Sequence, residues 1–155
     1  MIKSIRELGL QLNKQICKIE RSKICLNDYK YILEKYTGED WKEFIQLNPY
    51  NYSRCKVYDD PMFDIHIITW YNLQSSPIHN HANNGCLSKI LTGDLTELIY
   101  NPDDLRKPIQ FNHHKLNKIS YIDNKIGYHK IKNNDDITVS LHIYSPPKFK
   151  TKYFK

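Results

Sequence analysis

The pattern of apolar positions divides the chain into a helical first third and a strand-rich remainder. In the first third, apolar residues recur at steps of three and four, which is the spacing of one face of an α-helix; these residues are Ile5, Leu8, Leu12, Ile16 and Ile19. We predict a second helix that is capped by Asn27 and stops at Gly38, and a third, short helix around Trp41. Together these helices form a predicted cap over residues 1–48.

Further along the chain, short apolar runs alternate with polar residues and are separated by turn residues, which indicates β-strands. Gly93 separates residues 87–91 from residues 95–100, and we predict that these two strands pair as a hairpin. A chain of 155 residues suits one domain with one core. We therefore predict a single, mainly β domain over residues 1–155, in which residues 52–147 form the β-structure and the helices cover it.

Composition and charge exclude several classes of protein. No apolar run is long enough to cross a bilayer, so we expect no membrane partner. No secretory leader follows Met1, and we expect a cytoplasmic protein. The net charge of +6 is spread along the chain without a nucleic-acid-binding motif, so we expect no nucleic-acid partner, and we expect a monomer. The four cysteines lack metal-site or disulfide spacing, which fits a reducing compartment.

Candidate metal ligands stand out against this background. His79 and His81 are separated by one residue, and side chains at this spacing on a strand face the same side, so both imidazoles can reach one ion. A third imidazole, His129, lies between Gly127 and Asn133 in a later patch. Imidazole ligands suit iron, zinc, copper or nickel, so the donors alone leave the metal open.

A polar face is predicted on the strand around Leu141. Ser140, His142 and Tyr144 occupy alternate positions of this strand, whereas Leu141 and Ile143 fall between them. A hydroxyl, an imidazole and a phenol in a row are costly to bury unless they hydrogen-bond to one another or to a ligand. The pattern therefore indicates a functional face directed into the domain.

The spacing of these residues resembles two motifs of the cupin superfamily. The histidine pair followed by Gly93 resembles the first cupin metal motif, with Cys86 at the position that is usually acidic. Gly127, His129 and Asn133 resemble the second motif, whose histidine completes the metal site.

Two further matches narrow the resemblance to the cysteine dioxygenases. Residues 140–147 match the Ser-x-His-x-Tyr-Ser-Pro-Pro segment of that family almost residue for residue, and Tyr52 and Arg54 match its Tyr-x-Arg motif. Trp70 also falls where the family has a tryptophan. The resemblance implies a cupin (jelly-roll) β-barrel with an Fe(II) cofactor, which oxidises L-cysteine with O2 to cysteine sulfinic acid.

The resemblance also implies which residues bind the iron and the substrate. His79, His81 and His129 would hold the iron. Cys86 occupies the sequence position at which other cupins have an acidic residue, so no carboxylate would bind the iron. Arg54 would bind the carboxylate of the substrate, because a planar guanidinium meets a carboxylate with two hydrogen bonds. Tyr52 would assist it.

A further set of residues would surround the reacting atoms. The resemblance implies that Ser140 and His142 orient Tyr144. It also implies that a thioether can join Tyr144 to Cys86. The resemblance also implies a cis peptide bond before Pro146.

Some residues depart from the family pattern or match no position in it. Leu73 stands where a glycine is expected, and the sequence ends at Lys155, soon after the last match, so we expect a more open substrate pocket. His66 matches no family position and is expected to be structural, and we expect His113 and His114 to lie on the surface.

Two alternatives stay open. The chain could be a dioxygenase for another small thiol such as 3-mercaptopropionate, although related enzymes for that thiol tend to have a glutamine at the position of Arg54. It could also be an inactive cupin that binds a metal or a thiol.

Overall fold

The computed structural model describes residues 1–155. The first 48 residues contain two α-helices, α1 (Ile5–Ile16) and α2 (Lys30–Glu34), and three short 3-10 helices. The remainder contains ten strands, which are β1 (Ser53–Asp59), β2 (Asp64–Tyr71), β3 (Ile78–His79), β4 (Cys86–Thr92), β5 (Leu95–Asn101), β6 (Asp104–His114), β7 (Ile119–Ile122), β8 (Tyr128–Asn133), β9 (Ile137–Tyr144) and β10 (Tyr153–Phe154).

The ten strands form two five-stranded antiparallel sheets. The first sheet has the order β1-β2-β9-β4-β7 and the second has the order β10-β3-β8-β5-β6. The sheets pack face to face through apolar side chains, namely Ile68, Trp70 and Ile90 from the first sheet and Leu95 and Ile131 from the second. This is the jelly-roll arrangement that the sequence predicts, although no hydrogen-bonded ladder closes the two sheets into a barrel.

The helical cap covers the outer face of the first sheet. Ser4 begins α1 by accepting a hydrogen bond from the Glu7 amide, and the predicted apolar stripe is buried from Ile5 to Ile16. Ile19 lies beyond the helix and is partly exposed. The stripe belongs to the main core cluster, which also contains Val139, Leu141 and Ile143 of β9. Because side chains alternate along a strand, the polar face of β9 is turned toward the second sheet.

Two local predictions were wrong. β4 and β5 form on either side of Gly93, but they do not pair, because the chain passes there from the first sheet to the second. Gly93 has a φ of +83° and lies against Thr138, so a side chain would clash there. Asn27 lies inside a 3-10 helix and is not a helix cap, and α2 ends at Glu34, before Gly38.

One further prediction about local structure was confirmed. The peptide bond between Ser145 and Pro146 is cis. All four cysteines are free thiols. None of the helices is long and apolar enough to cross a bilayer.

Candidate metal centre

The structure brings the three predicted histidine ligands together between the sheets. His79 and His129 are cross-strand partners in β3 and β8, and their ring centroids lie 4.5 Å apart. His81 lies just beyond the end of β3, where the side chain of Asn124 holds its backbone through both the amide and the carbonyl. One ring nitrogen from each histidine lies within 4.8 Å of the others.

The hydrogen bonds of these rings leave nitrogen lone pairs directed at one point. The Nδ1 of His79 lies 2.9 Å from the Pro77 carbonyl, which can only accept, so this nitrogen carries the proton and Nε2 is free. Nδ1 of His129 is likewise hydrogen-bonded, to the Glu97 carboxylate. Nε2 of His129 lies 3.0 Å from Nε2 of His79. Both ring nitrogens of His81 are buried without a partner.

This donor set fits a divalent metal ion. Burial and the neighbouring His129 lower the pKa of His79 to about 3, so His79 is neutral at physiological pH and its Nε2 lone pair faces Nε2 of His129. Two nitrogens bound at right angles to an ion, each at about 2.1 Å, would lie about 3.0 Å apart. Unpaired buried imidazole nitrogens such as those of His81 are costly, and a bound ion would accept one lone pair from each of the three rings.

A buried carboxylate lies behind the metal centre, and the sequence analysis missed it. Glu97 on β5 is only 4% exposed. Its carboxylate lies 2.6 Å from Nδ1 of His129 and 2.8 Å from Nε2 of His114, and it accepts a hydrogen bond from Asn112. His114 is therefore buried, and the prediction that it lies on the surface was wrong, whereas His113 is exposed as predicted.

The negative charge of Glu97 would partly compensate the positive charge of a metal ion bound by the three histidines. Burial alone would raise its pKa, but the hydrogen bonds from His114 and His129 outweigh burial and hold the pKa well below its usual range. The carboxylate is thus ionised, and it fixes His129 in the tautomer that leaves Nε2 free. Carboxylates in this position are a common support for metal-bound histidines.

The polar face of β9 lies opposite the histidines. The indole of Trp70 donates to the Ser140 hydroxyl at 3.1 Å, and this hydroxyl lies 2.7 Å from Nε2 of His142. The other ring nitrogen of His142 lies 3.7 Å from the Cys86 sulfur. The hydrogen-bond chain therefore leads to Cys86, whereas Tyr144 stacks on the His142 ring with centroids 5.9 Å apart.

Cys86 and Tyr144 are direct cross-strand neighbours in β4 and β9. Both side chains are buried, at 4% and 8% exposure. Burial raises the pKa of the Cys86 thiol to about 12 and raises the pKa of Tyr144 well above its usual range, so both groups are protonated at neutral pH.

Arg54 and Tyr52 lie at the mouth of the site. The Arg54 guanidinium lies 5.2 Å from the centre of the Tyr144 ring, and no carboxylate of the chain forms an ion pair with it. Tyr52 stacks on Trp70 with ring centroids 4.5 Å apart. Nε2 of His66 lies 3.2 Å from an oxygen of the Asp64 carboxylate, and His66 does not line the cavity, which agrees with a structural role.

The site consists of an inner cavity and an outer basin. The inner cavity, of about 20 Å³, has room for one water molecule or ion. It is lined by Tyr52, Arg54, Ile68, Trp70, Ser76, His79, His81, Cys86, His129, Ile131, His142 and Tyr144. Tyr52, Arg54 and Ser76 also line the outer basin, of about 690 Å³, which opens to solvent. Except for Ser140, all of the site residues that the sequence predicts line the inner cavity.

Comparison with solved structures identifies the fold as the double-stranded β-helix of the cupins. An uncharacterised protein with a double-stranded β-helix domain from Klebsiella pneumoniae superposes with a TM-score of 0.61 at 12% identity, over 74% of this chain and 93% of its own. A cupin superfamily protein from Desulfitobacterium hafniense gives a TM-score of 0.54 at 12% identity, over 66% of this chain and 84% of its own. At these identities the likeness shows the fold alone.

The family follows from the sequence comparisons. The family model for cysteine dioxygenase type I matches residues 5–155, and the chain belongs to this family. Cysteine dioxygenase type 1 of Danio rerio is 30% identical over 134 residues, which cover 80% of this chain and 67% of that protein. The enzyme of Homo sapiens is 30% identical over 131 residues, which cover 79% of this chain and 66% of that protein. The chain thus spans about two thirds of the length of these relatives.

The structure generates a prediction about Glu97. Glu97→Gln keeps the shape of the side chain but removes its charge, so His129 loses its ionic partner. We expect the affinity for Fe(II) and for Co(II), measured by competition with a chelator, to fall about ten- to a hundredfold. His129→Ala should lose more affinity, and the exposed Glu43→Gln should lose none. A Glu97→Gln protein that melts at a lower temperature but binds metal as the unaltered protein does would reduce Glu97 to a packing role.

Proposed function

We propose that the chain is an Fe(II)-dependent cysteine dioxygenase that converts L-cysteine and O2 to cysteine sulfinic acid. Both oxygen atoms of O2 enter the product, and no other reductant is needed. The observation that carries the proposal is one cavity that has three free imidazole nitrogens on one side and an unpaired guanidinium on the other. The inner cavity and the outer basin together suit a small molecule that reaches the histidines with a thiol and extends a carboxylate toward Arg54.

His79, His81 and His129 would hold the iron. When bound, Fe(II) would supply the site for O2 and would favour the thiolate of a substrate whose free thiol pKa is about 8.5. Three neutral imidazoles leave the full charge of the ion uncompensated within its ligand shell, and Glu97 balances it from behind His129. This arrangement favours an anionic sulfur as the added ligand.

Arg54, Tyr52 and Tyr144 would position the substrate. The Arg54 guanidinium has no carboxylate partner in the chain and lines the inner cavity, so it can take the carboxylate of cysteine with two hydrogen bonds. Tyr144 is neutral and lines the same cavity, so its phenol can donate a hydrogen bond to the reacting end of the substrate. Holding the reactants at fixed distances supplies a large part of catalysis.

Arg54→Gln tests the proposed binding of a carboxylate. We expect kcat/KM for cysteine to fall about ten- to a hundredfold, mainly through KM, because a hydrogen-bonded charge pair contributes about 1.5–3 kcal/mol. Cysteamine, which lacks the carboxylate, should be a poor substrate, and the substitution should leave its kcat/KM unchanged. Arg106→Gln, at an exposed arginine on β6, is the matched control.

The same assay decides between the substrates. Faster turnover of 3-mercaptopropionate than of cysteine would favour the alternative thiol, and the absence of oxygen uptake with any thiol would favour an inactive binding protein. Equal turnover of cysteine and cysteamine by the unaltered protein would contradict the role of Arg54. The expected monomeric state and cytoplasmic location stay predictions.

We also propose that Cys86 and Tyr144 form a thioether. The pair is supported by its cross-strand register, because side chains directly opposite on antiparallel strands have Cβ atoms about 4.5–5.5 Å apart. The bond joins the sulfur to a ring carbon, and the thiol and the ring each lose one hydrogen. O2 takes up the two electrons and two protons. The bond would hold Tyr144 in position and remove a thiol that competes with the substrate for iron.

Mass spectrometry tests the thioether. We expect a species about 2 Da lighter than the unmodified chain, which accumulates with turnover only in iron-loaded protein. Cys86→Ser should abolish this species and retain measurable activity. Cys25 and Tyr121 provide an internal control, because their sulfur and hydroxyl lie 3.5 Å apart outside the cavity and should stay unmodified. Unmodified Cys86 and Tyr144 peptides after many turnovers would exclude the bond and leave the dioxygenase assignment intact.

A further inference from the structure

The segment 148–155 folds back over the metal centre and is fixed there by its backbone. The Lys148 amide donates to the Asp64 carboxylate at 3.1 Å. Asn80, between two of the histidines, pairs with Lys152 through two hydrogen bonds, because its side chain accepts from the Lys152 amide and its own amide donates to the Lys152 carbonyl. Strand β10 then continues this pairing along β3, with Tyr153 opposite His79.

Aromatic contacts anchor the same segment. Phe149 packs on the small cluster that contains Cys86 and Tyr144. Phe154 stacks on Tyr128, next to His129 in sequence, with ring centroids 4.9 Å apart. These contacts hold β10 in a defined position between the metal centre and the outer basin.

Tyr153 is thereby placed beside the residues that would bind the carboxylate. Its ring lies 5.9 Å from the His79 ring, and it lines the outer basin together with Tyr52 and Arg54. Burial, with the Tyr153 hydroxyl beside it, raises the pKa of Tyr52 well above its usual range. Tyr52 is therefore a neutral hydrogen-bond donor at neutral pH.

The side chains that line the outer basin favour an anionic ligand. Its lining residues include two cations, Arg54 and Lys130, and no carboxylate. The other polar groups are hydroxyls and an amide, which can also donate hydrogen bonds. Because the inner cavity has room for about one water molecule or ion, a substrate that reaches the histidines must extend its carboxylate toward this basin.

We propose that Tyr153 is a specificity-determining residue whose hydroxyl, together with Tyr52 and Arg54, binds the carboxylate of a small thiol substrate. The inference deepens the proposed function and rests on it. The two phenols would flank the guanidinium, so that the carboxylate receives donors from both sides of Arg54. Phenols that donate to a charged acceptor favour substrates with a carboxylate over thiols that lack one, such as cysteamine.

Tyr153→Phe tests the proposal, because it keeps the ring that packs on His79 and removes only the hydroxyl. With Fe(II)-loaded protein under anaerobic conditions, we expect calorimetry to show cysteine binding weakened about tenfold, since the lost hydrogen bond is to a charged group. In turnover, KM should rise by a similar factor with little change in kcat. Cysteamine binding and iron content should be unchanged. Tyr31→Phe, in the helical cap, is the matched control, because Tyr31 and Tyr153 are 48% and 49% exposed.

Two results would overturn the proposal. One is unchanged cysteine binding in Tyr153→Phe, and the other is an equal loss of cysteine and cysteamine binding, which would assign the hydroxyl to packing of the site. A failure of the proposed function can be distinguished from both of these results. If the unaltered protein consumes no O2 with any thiol, the dioxygenase assignment fails, but the binding comparison still reports on Tyr153.

Discussion

The convergence of three imidazoles, two buried and one partly buried, is the constraint on which the site depends. His79 and His129 are brought together by a single cross-strand pair, and the hydrogen bonds of their Nδ1 atoms turn both Nε2 lone pairs toward the same point. The two Nε2 atoms lie 3.0 Å apart, close enough for one ion to bind both. Glu97 and the Pro77 carbonyl hold the two rings in this orientation from behind.

The two sheets contribute different halves of the chemistry. The second sheet and the loop after β3 supply the histidines, whereas the first sheet supplies Cys86, Tyr144 and Arg54. The distance between the halves is set by the apolar side chains that pack between the sheets. The helical cap contributes indirectly, because it buries the other face of β9 and thereby fixes its polar face toward the cavity. A small thiol bound between the sheets would contact both halves.

Much of the site could be predicted from the sequence because its signals are local. The alternation along β9 depends on a few adjacent residues, and the structure shows it. The histidine pair converges as predicted, although His81 lies beyond the end of β3. The cis bond before Pro146 was implied by the family resemblance, and it is present. The hairpin around Gly93 was predicted wrongly, because a local turn pattern does not reveal whether the strands on either side belong to the same sheet.

The missed residues depend on contacts between distant parts of the chain. His114 looks like a surface residue until its partner on β5 is known. Glu97 did leave a signal, since it is a charged residue between Leu95 and Ile99 on the inward face of an apolar strand. Tyr153 left no such signal, because its place at the basin follows from the pairing of β10 with β3.

The function proposed for this cavity is the addition of both atoms of O2 to a cysteine thiol. The most direct test follows O2 consumption and product formation by anaerobically Fe(II)-loaded protein that is mixed with L-cysteine and isotopically labelled O2. We expect one O2 to be consumed for each cysteine and the sulfinic acid to contain both labelled oxygen atoms. Consumption of O2 with cystine as the only product, or label from water in the sulfinate, would contradict it.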